Sequence, residues 1–215
     1  MSVGNLFNLM MSVSDNTATD ILLDLVGGPE AVNSRMKTLG IGDIHINRTT
    51  LEMIADASGI RKRPPDMTAA QYEKMAAGVD PATRKKMRKK FNADPRDTET
   101  PDAMTKLIQG IYSKAFLKTD TAELLLETMQ GSQTGAMRLK GMLPPGTPVA
   151  HKTGTLKETT NDVGMITLPN DAGHIVIAVL IKSSQKESGD RERAVADIAR
   201  AVYDYYLFGV CRNEN

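Results

Sequence analysis

The chain has 215 residues, 40% hydrophobic and 25% charged, with a formal net charge of +1; that balance excludes a disordered chain, a collagen-like repeat and a coiled-coil rod, and the length predicts one domain. A lone cysteine, Cys211, excludes an internal disulfide and a cysteine-based zinc site, and no apolar run approaches the roughly 20 residues of a membrane span. With no Trp, four Phe and 13 Met, the core must be aliphatic and methionine-rich.

The first residues carry no Lys or Arg ahead of their apolar positions, so they do not read as a secretory signal. Val3, Leu6, Leu9 (or Met10) and Val13 instead share one side of a helix already under way at residue 2. That fits either a fold entered midway or an N-terminal helix docked on the core. After Ser14-Asp15-Asn16, the apolar positions Ala18, Ile21, Leu22, Leu25 and Val26 predict one helical face, stopped by Gly27-Gly28. Pro29 opens a second helix to about Leu39, followed by a polar loop.

Residues 61–90 hold ten basic side chains against three acidic ones, which leaves the rest of the chain acidic. Thr68 with Gln71 spells a capping box and Asp80-Pro81 a helix start, so two short helices are expected there. The scarcity of large apolar residues predicts a peripheral, mobile addition. The run from Arg84 to Lys90 is ordinarily a solvated helix face; anionic cell-wall polymer, lipid headgroups or nucleic acid are its alternative partners. With aromatics nearly absent, no nucleic-acid partner is expected. Thr100-Pro101 begins another helix with Met104, Leu107, Ile108 and Ile111 inward, and Asp120 with Glu123 caps the next, to about Gln130. From Pro144 the texture turns to strands: PVAHKTGT, TNDVGMITL and GHIVIAVLIKSS, separated by turns. Ile175–Ile181 is unbroken apolar sequence, as in a strand covered on both faces. A last helix from Asp190 places Val195, Ile198, Val202 and Tyr205 or Tyr206 on one face.

Two short motifs stand in these contexts: Ser14-Asp15-Asn16 at the head of a helix and Lys152-Thr153-Gly154 on a strand. Together with SVSDNTATDILLDLVGGPEAV, DPRDTETP and GMLPPGTPVAHKTGT, they make the chain similar to the penicillin-recognising serine hydrolases, class A β-lactamases most closely. The resemblance covers nearly everything except residues 53–93. It implies an α/β fold in the loose (α+β) sense, of β-lactamase/transpeptidase type. A helical region, 1–147, would lie beside an antiparallel sheet, and 148–215 would hold three strands and a closing C-terminal helix. It also implies acyl transfer on a β-lactam or a cell-wall peptide, with no cofactor and no metal, in the periplasm or outside the cell.

Site roles follow from the same resemblance. Ser14 would pass a proton to the departing ring nitrogen beside the Lys152 ammonium, and Asn16 would bind the substrate's side-chain amide. Thr153 and Thr155 would offer hydroxyls to the substrate carboxylate, the N–H of Thr155 would serve the oxyanion hole, and Gly154 would admit substrate close to the backbone. Without the resemblance, Ser14 reads as a helix N-cap and Lys152 as a solvated strand lysine. Arg48 and Asp97 resemble the ion pair at the neck of an omega loop, here enlarged to about 48–97. Two departures matter. The family's Ser-x-x-Lys nucleophile lies well upstream of Ser-Asp-Asn, and only 13 residues precede Ser14; Ser34-Arg35-Met36-Lys37 and Ser183-Ser184-Gln185-Lys186 fit the pattern by coincidence. Thr50 stands where the family's deacylating glutamate is expected, with Glu52 two positions late. The expectation is a truncated chain, inactive alone, whose strand at 175–181 has an open edge for self-association. A D-alanyl-peptidase-like hydrolase and a non-catalytic binding remnant are the alternatives. His151 alternates to the strand face opposite Lys152 and reads as structural.

Overall fold

The computed structural model describes residues 1–60 and 67–210. Helices α1 (Val3–Ser12), α2 (Asn16–Leu25) and α3 (Gly28–Thr38) lead to β1 (Ile44–His45). The excursion α4 (Thr50–Ser58), α5 (Ala69–Ala77) and α6 (Pro81–Asn92) then returns to β2 (Thr98–Glu99). Helices α7 (Pro101–Tyr112) and α8 (Thr119–Gln130) precede strands β3 (Val149–Leu156), β4 (Thr159–Thr167) and β5 (His174–Ile181), and α9 (Ser188–Val210) closes the chain. The three long strands form an antiparallel meander in the order β3-β4-β5, with Lys152 opposite Val163 and Gly154 opposite Asn161. Strand β5 is covered on both faces, as expected. Ile175, Ile177 and Val179 pack with Val195, Ala199 and Tyr203 of α9, and Val176 packs on the other side with Met165 and Ile108 of α7.

Helix boundaries follow local chemistry. Thr68 and Gln71 form the capping box of α5, Asp80 accepts from the Thr83 N–H to open α6, and Thr100 accepts from Ala103 to open α7. Thr49 and Glu52 form a second capping box at α4. Ser2 is the N-cap of α1, its hydroxyl accepting from the Asn5 N–H.

Four expectations are corrected. The apolar face read along α2 does not point inward, since Ile21, Leu25 and Val26 are exposed and only Ala18 of that set is buried. Polar anchors set its rotation instead. Asp15 caps the helix and Asp20 accepts from the N–H groups of Thr50 and Leu51 at 2.6 and 3.0 Å, turning Thr19 and Leu23 toward an open cavity. In α9, Ile198, Tyr205 and Tyr206 are likewise exposed, while Val195, Ala199 and Tyr203 are buried. The buried Arg191 fixes that rotation, donating to Thr160 Oγ1 (2.8 Å), Lys186 O (2.6 Å) and Lys157 O (3.2 Å). Helix α8 starts at Thr119 with Lys118 as an N-cap that makes no side-chain bond, so Asp120 lies within the first turn rather than capping it. Finally, the insert has its own small core: Ala55, Ile60 and Met67 are buried against Leu51, Tyr72, Met75 and Val79. Arg61, Lys62 and Arg63 lie outside the described residues.

Candidate active site

The junction between α1 and α2 makes a tight reversal at Ser14, whose φ of 58° lies in the left-handed region. The next residue, Asp15, closes α1 by donating its N–H to Leu9 O (3.1 Å) and caps α2 with its carboxylate, which accepts from the Ala18 N–H at 2.7 Å. Because Asp15 does the capping, the Ser14 hydroxyl is free for another partner. That partner comes from β3: Lys152 Nζ donates to Ser14 Oγ at 2.6 Å and to Thr153 O at 3.0 Å. Burial is the leading influence on the Lys152 ammonium and lowers its pKa, Asp162 opposes that shift, and Arg138 adds to it.

Arg138 is the residue that sequence reasoning missed. It is buried, and its Nη1 donates to Gly154 O (3.3 Å) and Asn161 O (3.0 Å). Its Nη2 donates to Thr155 Oγ1 at 2.8 Å and to Glu192 Oε1 at 3.1 Å. The Lys152-Thr153-Gly154-Thr155 stretch therefore has an ammonium at one end and a guanidinium at the other. Arg138 lies in an irregular loop, and its partner Glu192 is 54 positions away, so no periodicity or spacing marks it. Thr153 is held differently: its hydroxyl bonds Thr134 Oγ1 at 2.7 Å, and that loop comes so close that a Cβ on Gly135 would lie 2.5 Å from Thr153 Cγ2. Asn16, at the first position of α2, is exposed, and its side chain makes no hydrogen bond among the described residues. His151 points away from Lys152, fully buried, with Nδ1 2.8 Å from Asp162 Oδ1. Its structural reading matches this packing.

Arg48 and Asp97 meet where expected, at the base of the α4–α6 excursion. Arg48 Nε donates to Asp97 Oδ2 at 2.5 Å and Nη1 to Asp56 Oδ2 at 2.7 Å, with Asp94 3.5 Å away. Thr50 gives its N–H to Asp20, and Glu52 turns back to accept from the Thr49 N–H at 3.0 Å, so Glu52 is a cap. An open cavity of about 480 Å³ joins these parts, lined by Lys152, Thr153 and Gly154 on the sheet side and by Arg48, Thr50 and Glu99 opposite. Glu99 shares it as a carboxyl raised by burial, with Lys182 opposing the shift. Ser34 and Ser183 do not line it, and no cluster of metal-ligating side chains occurs among the described residues.

The sequence profile of the beta-lactamase enzyme family matches residues 1–206. The chain belongs to that family. It is 31% identical to beta-lactamase VEB-1 of Pseudomonas aeruginosa over 96% of its own length and 60% of that protein's. It is also 32% identical to the extended-spectrum beta-lactamase PER-1 of the same organism, over 95% and 57%. The crystal structure of TLA-1 extended-spectrum beta-lactamase superposes with a TM-score of 0.73 at 33% identity, covering 96% of this chain and 65% of that one. A class A beta-lactamase from Bacteroides cellulosilyticus superposes at 0.74 and 28%, over 96% and 64%. The chain thus spans about 60% of the length of the curated beta-lactamases it matches. The mixed helix-and-antiparallel-sheet architecture is the class A beta-lactamase fold, and no described helix is long and apolar enough to cross a membrane.

Proposed function

We propose that this chain carries the leaving-group and carboxylate-anchoring half of a serine hydrolase that opens β-lactam amide bonds through an acyl-enzyme. The observation that carries the reading is the 2.6 Å contact from Lys152 Nζ to Ser14 Oγ. The ammonium uses the Ser14 oxygen as acceptor, which leaves the hydroxyl proton directed outward, toward a departing ring nitrogen. As the C–N bond of the tetrahedral intermediate breaks, that nitrogen takes the Ser14 proton and Lys152 stabilises the charge left on Oγ. Arg138 and the Thr155 hydroxyl it holds at 2.8 Å are suited to anchor the substrate carboxylate. Asn16 is placed to meet the substrate's side-chain amide, the N–H of Thr155 to serve the oxyanion, and Gly154 leaves room at the strand for substrate. The Arg48–Asp97 pair holds the 48–97 excursion against the cavity.

The nucleophile is not supplied by Ser34 or Ser183, which lie on α3 and beyond β5, away from the cavity that Lys152 lines. The 215-residue chain therefore binds β-lactams without acylation, and hydrolysis requires a Ser-x-x-Lys segment from outside it, entering beside Lys152. The natural place of such a reaction is the periplasm or the cell exterior, and the chain alone self-associates through the open edge of β5. Mass spectrometry after incubation with benzylpenicillin tests the first point, with no covalent adduct expected. Calorimetry should show saturable binding that R138A and K152A abolish. A stoichiometric adduct on any serine overturns the assignment of roles, and absence of any binding overturns the site.

A further inference from the structure

Helix α6 divides its basic side chains into two groups. Arg84 is used inside, donating to Ala76 O (2.7 Å) and Val79 O (3.2 Å) at the end of α5, and Arg88 reaches Glu158 Oε1 at 3.5 Å. Lys85, Lys86, Lys89 and Lys90 are exposed and make no ion pair or hydrogen bond among the described residues. Three of them, Lys85, Lys86 and Lys89, line an open cavity of about 690 Å³ whose far wall brings Ser183 and Gln185. Glu158 is the one acidic residue in its lining, and it is already engaged by Arg88 and by Asn92 Nδ2 at 2.6 Å. The turns that form the far wall also carry the exposed Lys157, Lys182 and Lys186, with Glu187 beyond them. The result is a concave surface where the unpaired Lys85, Lys86 and Lys89 ammonium groups stand with hydroxyl and amide donors beside them and further exposed lysines at the rim.

We propose that this cavity binds a flexible, non-aromatic polyanion with successive phosphate groups, of the polyol-phosphate kind. Ammonium groups act on phosphate as point charges and demand no planar fork, which suits a chain with many rotamers. No aromatic side chain lines the cavity, so bases of a nucleic acid find no stacking platform. None of the exposed large hydrophobic side chains lies between residues 67 and 92, so the helix has no apolar face to enter a bilayer.

Titration calorimetry of the whole chain with sodium tripolyphosphate at physiological ionic strength tests this. One saturable site is expected. The variant K85Q/K86Q/K89Q should weaken binding at least about tenfold and flatten the slope of log K against log salt by about 2, near 0.7 per lost contact on a flexible strand. The variant K106Q/K118Q, which alters exposed lysines elsewhere, should leave it unchanged, and equal melting temperatures will show that both fold. A thymidine homopolymer and vesicles containing anionic lipid form the comparison arms. Absence of saturable binding, an unaffected triple variant, or tighter binding to either comparison probe overturns the proposal.

Discussion

Replacing Arg48 with alanine should destabilise the fold by about 3 kcal/mol. The guanidinium is buried and touches three carboxylates, those of Asp97, Asp56 and Asp94 at 2.5, 2.7 and 3.5 Å, and lies 5.4 Å from the Phe91 ring centroid. Removing one partner of a buried ion pair costs about 3–5 kcal/mol, because the other charge is left uncompensated. The lower end applies here, since the carboxylates keep other donors. Asp97 still accepts from the Asn47 and Arg48 N–H groups at 2.6 and 3.1 Å, and Arg96 still reaches Asp94 at 2.6 Å and Asp56 at 3.6 Å. For a domain of this size about 3 kcal/mol corresponds to a fall of roughly 6–12 °C in melting temperature. Circular dichroism of wild type, R48A and R48K should show R48K in between, because one ammonium cannot bridge three carboxylates. Acid adds a second signature. The Asp94 carboxyl is held down to about 2, first by its hydrogen bond from Arg96, so its contribution is complete above the unfolded value of 3.8 and is lost as pH falls through about 2. A change in R48A below about 1 kcal/mol would refute the claim that this cluster secures the neck of the 48–97 excursion.

Three further outcomes are expected. Gly164→Ala should cost about 3 kcal/mol or more, read by urea denaturation, because the new Cβ would lie 2.2 Å from Ala150 O and 2.7 Å from His151 Cα, both backbone atoms of β3 that cannot swing aside. NMR titration of Lys152 should give a midpoint below 10.5, since burial lowers it, and a bound penicillin carboxylate should move it upward; an unmoved midpoint would remove Lys152 from the anion subsite. Stability should rise as pH climbs from that lowered midpoint toward 10.5, where the unfolded chain still holds the proton that the native state has lost. Sedimentation of the chain should show concentration-dependent self-association, because the outer edge of β5 pairs with no strand among the described residues and Ile198, Tyr205, Tyr206 and Phe208 of α9 are exposed; a monomer at every concentration contradicts it.

Much of the fold was legible because its punctuation is local. Thr68 to Gln71, Asp80-Pro81 and Thr100-Pro101 each satisfy or remove helix N–H groups within a few residues, so the sequence alone reveals them. The β3–β5 meander was legible from its turns and apolar runs. Helix rotation was not, because distant polar anchors set it: Asp20 on α4 for α2, and Arg191 against Thr160 and two carbonyls for α9. Each outranked the apolar periodicity written along its own helix. The Ser14–Lys152 contact spans 138 positions and could be inferred only through resemblance. Arg138 was invisible for the same reason, since its partners Gly154, Asn161 and Glu192 lie on two strands and a helix.

The geometry at Ser14 joins fold to chemistry. A non-glycine residue at φ 58° costs about 1–3 kcal/mol and persists only where its surroundings over-determine it. Three contacts do so here. The Asp15 N–H ties the junction back to Leu9 O, the Asp15 carboxylate caps α2 on the other side, and Lys152 grips the hydroxyl itself. The first two are helix-terminus bonds that any tight α–α reversal could use, so they stabilise the turn whatever residue stands at position 14. Glycine there would relieve the backbone and keep both bonds, and a chain selected for stability alone would favour it. A serine held in the strained conformation, with its oxygen 2.6 Å from the half-buried Lys152 ammonium, fits the proton-donor role proposed for Ser14. Ser14→Gly should therefore leave the α1–α2 reversal intact while removing the Lys152 contact, and with it the leaving-group protonation proposed above.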